Sequence, residues 1–175
     1  MEALRKNSIN FGLILGVFLV VMTTIIYAVN INLFTSTWIG IVNILIISGF
    51  GIFAVLKYKK NIGGFITFKE SFTGFFITVV IGFIISTLFS ILLFNYIDPE
   101  AKAILTENII KYTVEMMQKF GAKPADLNKM IEEMRSTDSF GVMGQLKGFA
   151  FNTILYSIIG LIASLILKKD KPQSF

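Results

Sequence analysis

The chain contains no cysteine and no histidine. Without thiols it has no disulfide and no thiolate nucleophile, and without imidazole it has no His base for a catalytic triad and no haem or zinc ligation by His. Charge is missing in long blocks. No Asp, Glu, Lys or Arg occurs within 7–56, 71–97 or 148–167, gaps of 50, 27 and 20 residues. Proton relays and ion-coupled transport place ionisable groups at membrane depth, so these gaps count against a pump. No Lys-Ser/Thr pair stands at the spacing a phosphate-cradling loop needs, and no nucleophile and base pair suits an intramembrane enzyme. No cofactor or metal is expected.

What is there is apolar. Hydrophobic residues make up 54% of the 175, with a mean hydropathy of +0.74, more than a water-soluble core of this size can bury. A helix crosses a hydrocarbon layer of roughly 30 Å with about 20 apolar residues. The second and third gaps each fit one crossing, and the first fits two. The spacing predicts spans at 9–29, 38–56, 72–94 and 149–167, with a polar turn at 30–37 followed by Trp38 as a headgroup-level anchor. A cleaved signal peptide is disfavoured because the first apolar run is too long and no Ala-x-Ala site follows it. A β-barrel is excluded because the runs are apolar on all sides and do not alternate.

The lysines set an expected orientation. Arg5 and Lys6 precede the first span, Lys57, Lys59, Lys60 and Lys69 sit in the second loop, and Lys168, Lys169 and Lys171 form a tail. By the positive-inside rule the N-terminus, second loop and C-terminus face the cytoplasm of a bacterial inner membrane, and segment 95–147 faces outside. A net charge of +5 and a pI near 9.4 are accounted for by anionic headgroups beside the spans, so no nucleic-acid partner is expected.

Segment 95–147 has water-soluble character and a helical pattern. Asp98-Pro99 is a start signal, and Leu105, Ile109, Tyr112, Met116 and Phe120 recur along one face, a candidate partner surface. Gly121 ends the run, and a second helix is expected over 125–135. The fold class is therefore an all-α integral membrane protein: four transmembrane helices plus an extracytoplasmic amphipathic helical hairpin between spans 3 and 4.

Within the spans, Gly74, Thr78, Gly82, Ser86 and Ser90 follow one another at steps of four. In lipid, small residues at this spacing let two backbones approach, and the stripe drifts by roughly 40° per step, which suits two successive neighbours. Gly12-x-x-x-Gly16 and Gly160-x-x-x-Ser164 fit the same helix-packing role. The seam could serve the bundle or a homo-oligomer. Polar residues in the spans are few: Thr23, Thr24, Asn43, Asn152 and Tyr156. Asn43 can bond another helix or line a polar cavity.

In the second loop, Gly63-Gly64 reads as a tight turn, Thr67 as an N-cap with Glu70 as its capping-box partner, and Phe65, Phe68 and Phe72 as interfacial. Three stretches carry a family likeness: Phe11-Gly12-Leu13-Ile14-Leu15-Gly16, the block from Gly63-Gly64 through Glu70-Ser71-Phe72, and Ile97-Asp98-Pro99 ahead of the acidic hairpin. On these the chain resembles the Bacteroidetes-type domain-of-unknown-function family 4199 of small four-span membrane proteins. Lys59-Lys60 stands where relatives show an Arg-Asp-like pair. The resemblance implies an inner-membrane location and four spans, and no activity.

Two function classes remain open. One is a non-enzymatic accessory or scaffold component whose external hairpin contacts a membrane-protein partner or the membrane surface. The other is an oligomeric small-solute channel or transporter built around Asn43, Asn152 and the small-residue stripe.

Overall fold

A computed structural model describes residues 1–169, so Lys171 of the basic tail lies outside the described residues. The described residues form six α-helices in order: α1 (Glu2–Val29), α2 (Thr37–Asn61), α3 (Phe68–Leu92), α4 (Ala101–Lys119), α5 (Pro124–Ser136) and α6 (Val142–Leu167). Among the described residues the only pairing of β type is a single antiparallel bridge, Ile66 with Lys169. Four helices, α1, α2, α3 with its continuation to Ile97, and α6, are long and apolar enough to cross a membrane. The chain is accordingly a helical membrane protein in its architecture.

Every span runs past the boundary read from the apolar gaps. α1 begins at Glu2, α2 continues through Lys57 to Asn61, α3 starts at Phe68, and α6 starts at Val142. The gaps mark where charge stops. Helices extend further, because Lys and Gln are good helix formers and long cationic side chains reach the interface from inside a helix.

Local chemistry sets the ends. α2 closes on Gly63 and Gly64, both at positive φ (85° and 87°), with the Gly64 amide donating to the Lys59 carbonyl at 2.9 Å and the Gly63 amide to Lys60. That is a Schellman closure, which needs a left-handed residue. Thr67 and Glu70 then form a reciprocal capping box at the start of α3. At the other end, residues Leu93–Ile97 widen into one π turn, sealed by the Asp98 amide on the Leu93 carbonyl at 2.8 Å. Asp98 Oδ1 accepts from the Ala101 amide across the Pro99-Glu100 turn, and α4 itself begins at Ala101 with Glu100 at its N-cap, two residues later than the expected acidic start signal. Gly121 (φ 79°) closes α4 by the same Schellman pattern, the Ala122 amide reaching Met117 and the Gly121 amide reaching Gln118.

α3 is the hub of the bundle, packed against α1, α2 and α6. It runs parallel to α1 in a close register. An added Cβ on Gly74 would meet Leu4, one on Gly12 would meet Ile81 and the Thr78 carbonyl, one on Gly82 would meet Leu15, and one on Gly16 would meet Ile85. Thr78 adds hydrogen bonds to the Ser8 and Gly74 carbonyls at 3.3 and 2.9 Å. On the other side, Phe75 lies 1% exposed between Gly51 of α2 and Gly160 of α6. One ring thereby holds three helices together, by dispersion and not by escape from water, which lipid does not reward.

The two ends of the bundle differ. The lysine end joins the α2–α3 loop to the end of α6: Ile66 and Lys169 exchange backbone hydrogen bonds at 2.9 and 2.8 Å, and Lys59 Nζ donates to the Leu167 carbonyl at 2.7 Å. Lys169 also lies over the Phe65 ring at 5.3 Å. The opposite end carries the turn Ile31–Thr35 and the α4–α5 pair, which is cross-linked by Arg135 to Glu107 at 3.1 Å. α4 lies on the Ile31–Thr35 turn, with Asn108 bonded to Asn32 at 2.8 Å.

Candidate functional site

Phe75 holds α2 and α6 close to α3 at Gly51 and Gly160, and toward the α4–α5 end the two helices diverge around a cavity. There the facing positions are Gly40 and Asn43 on α2 and Gly148 and Asn152 on α6, residues too small or too polar to fill the gap. A cavity of about 500 Å³ results, with α1 and α3 behind it. This lies within the range of small-molecule pockets, about 300 to 1,000 Å³.

Its floor is Ile47 with Phe83 and Tyr156, the two rings stacked edge-on with centroids 5.1 Å apart. Its roof is Phe34 and Phe140, both packed on Phe94 at 6.1 and 5.6 Å. The roof is pinned from outside the cavity: Asn95 Nδ2 donates to the Phe140 carbonyl at 3.0 Å, and Asp98 Oδ2 accepts from the Tyr27 hydroxyl at 2.6 Å. That Tyr27 hydrogen bond, followed by the Ala101 amide, holds the Asp98 carboxyl below the usual carboxylate range.

The walls are uncharged and mixed, with Leu19, Met22, Ile26, Ile39 and Ile44 standing among the polar groups. Thr23, Asn43, Ser86, Thr87, Ser90, Gln145 and Asn152 face the cavity, and no Asp, Glu, Lys or Arg lines it. Among the described residues none of these seven side chains has a hydrogen-bond partner. Contrast Thr24, Thr153 and Ser157, which bond the carbonyl four residues back at 2.7 to 2.8 Å. An unpaired amide or hydroxyl at membrane depth costs several kcal/mol, on the order of 2–7. None of the seven is fully buried, so water entering the cavity can satisfy them, and the polar groups of a bound molecule can take its place.

This placement divides the small-residue stripe. Gly74, Thr78 and Gly82 meet α1, whereas Ser86 and Ser90, expected as packing residues, turn onto the cavity wall. The drift of the four-residue step around α3 is the reason. Gly12, Gly16 and Gly160 lie at close helix contacts, and Ser164 is buried one turn beyond Gly160. Asn43 makes no interhelical hydrogen bond and lines the cavity with Asn152 and Tyr156. Gly63, Gly64, Phe68, Glu70 and Phe72 are placed at the lysine end, away from the cavity, where Phe68, Phe72 and Phe76 stack along α3.

The amphipathic face of α4 needs one correction. Leu105 is fully buried against Leu93, Phe94 and Ala101, so it belongs to the chain's own core and is no partner surface. Ile109 and Tyr112 are half-buried, Tyr112 lying 3.3 Å from the Thr37 hydroxyl. Met116 and Phe120 are exposed, Phe120 to 84%.

Gln145, Thr87, Gly40 and Gly148 escaped the sequence reading. Gln145 and Gly148 fell before the expected start of the fourth span. Thr87 directly follows Ser86, and a search for polar residues clustered at one level of several spans would have found it. Among the described residues no group of three or more acidic ligands could hold a metal ion.

A family model described as Protein of unknown function (DUF4199) matches residues 10–169. No curated protein and no solved structure matches the chain.

Proposed function

Since the chain belongs to the family described as Protein of unknown function (DUF4199), whose description carries no activity, we propose that it works as a non-enzymatic binding protein for an uncharged polar ligand. It sits in a bacterial inner membrane with both termini and the Lys57–Lys69 loop in the cytoplasm, and α4–α5 outside. The observation that carries the reading is the cavity wall: seven unpartnered hydroxyls and amides, and no charge, within the spans. Amides and hydroxyls both donate and accept, which suits a ligand rich in hydroxyl or carbonyl groups. An ion would find no counter-charge there. The wall also offers no carboxylate, amine or imidazole to act as a base.

The polar surface lies inside one chain, so this reading needs no oligomer. The aromatic floor closes the cavity toward the lysine end, which favours binding over conduction.

Native mass measurement on protein released in mild detergent tests the proposal. The wild type should carry an uncharged adduct, and Asn43→Leu with Asn152→Leu should lower its occupancy tenfold or more. Each lost hydrogen bond is worth about 1 kcal/mol, and 1.4 kcal/mol is a factor of ten. A wild type free of any adduct after the gentlest extraction counts against the proposal.

A second reading rests on the α4–α5 tip, where exposed Phe120 and Met116 offer an anchor to a membrane-protein partner. Phe120→Asp should then remove a co-purifying protein from native membranes. An unchanged set of co-purifying proteins retires that role.

A further inference from the structure

We infer that the ligand is an uncharged glycerolipid, of diacylglycerol type, which enters sideways from the bilayer between α2 and α6. This rests on the cavity-binding reading above and names its substrate class.

The first support is where the wall reaches the surface. Of the cavity-lining residues on the four spans, those of α1 and α3 are all buried or half-buried. The exposed ones are Gly40 and Ile44 on α2 and Asn152 on α6. The cavity therefore breaks the lateral surface of the bundle along the α2–α6 gap, near the headgroup level marked by Trp38 and Lys147.

The second support is the glycines. At Gly12, Gly16, Gly51, Gly82 and Gly160 an added Cβ would come within 3.0 Å of a neighbouring helix's side chain, so packing accounts for the missing side chain. At Gly40 and Gly148, one on each side of the gap, a Cβ would meet nothing within 4 Å. Packing does not call for glycine at either position, and both line the cavity, which distinguishes them from Gly49, whose Cβ also meets nothing.

The third support is chemistry. Next in sequence to the lining residues Gly40, Ile44, Asn152 and Tyr156 stand exposed Ile41 and Leu45 on α2 and Phe151 and Leu155 on α6, apolar surface for acyl chains. Inside are donors and acceptors without charge, which match a free hydroxyl and ester carbonyls and leave a phosphate unneutralised.

The test uses the full chain in phosphatidylcholine vesicles with two photoreactive probes: a diazirine-bearing diacylglycerol and a water-soluble diazirine polyol. The diacylglycerol should cross-link to the cavity wall in the wild type. Its yield should fall about tenfold in Gly148→Phe and in Gly40→Phe, substitutions on two separate helices, with a free-energy equivalent of ~1.4 kcal/mol. Gly49→Phe should leave the yield unchanged, because Gly49 also has nothing within 4 Å but does not line the cavity. Diacylglycerol labelling that ignores both plugs would mean lipid contact with the outer surface only, and would overturn the inference. Wall labelling by the polyol alone would overturn the lipid identity and leave the binding reading standing. Failure of both probes to label the wall would overturn both.

Discussion

Phe75→Ala should lower the unfolding free energy of the bundle by about 3 kcal/mol, the low edge of the range for Phe truncations in protein cores. The low edge applies because part of that range is transfer from water, and in lipid the unfolded reference is already apolar. What is lost is contact: a fully buried ring pressed against Gly51 of α2 and Gly160 of α6. Equilibrium unfolding in mixed micelles measures it. Because α2 and α6 meet α3 through this ring, the variant should also loosen the cavity floor one to two turns away, at Phe83 and Tyr156. A loss below about 1 kcal/mol, the scale of a surface change, would show that the ring is not the wedge.

Gly12→Leu should be comparably damaging, by about 3 kcal/mol, at the upper end of the cost of overpacking. A Cβ there falls 2.7 Å from Ile81 Cβ and 2.9 Å from the Thr78 carbonyl oxygen. Neither can swing aside, since one sits at the root of its side chain and the other is backbone. α1 and α3 must separate, and Thr78 loses its reach to the Ser8 carbonyl. Gly49→Leu is the matched control, with open space at its Cβ, and should stay within about 0.5 kcal/mol of the wild type. Equal effects at the two sites would contradict the α1–α3 register.

Much of the fold was legible because lipid imposes a coarse rule. Charge-free runs must be spans, and the four runs at 9–29, 38–56, 72–94 and 149–167 all lie inside helices of the structure. Capping chemistry was legible for a similar reason: Thr67 with Glu70, and Gly63, Gly64 and Gly121, act through bonds to residues three to five positions away. The cavity was legible only in part: Asn43, Asn152 and the serines of the stripe stood out as polar groups within the spans, but not which of them meet. Its members come from four helices, and the sequence does not say that Ser86 faces Asn43 while Gly82 faces Leu15. Leu105 shows the same limit on a smaller scale, because amphipathic spacing identifies an apolar face without saying whether the chain itself covers it.

The absence of native cysteine makes the decisive measurement direct. Ser86→Cys and Asn152→Cys, each the sole thiol in the protein, are exposed in vesicles to an uncharged water-soluble thiol reagent, beside Leu88→Cys on the exposed surface of α3. A thiol reacts as thiolate, which requires a polar surrounding. A polar cavity within the spans predicts fast labelling at the two wall positions and little at Leu88. Wall thiols as inert as the one at position 88 would contradict it.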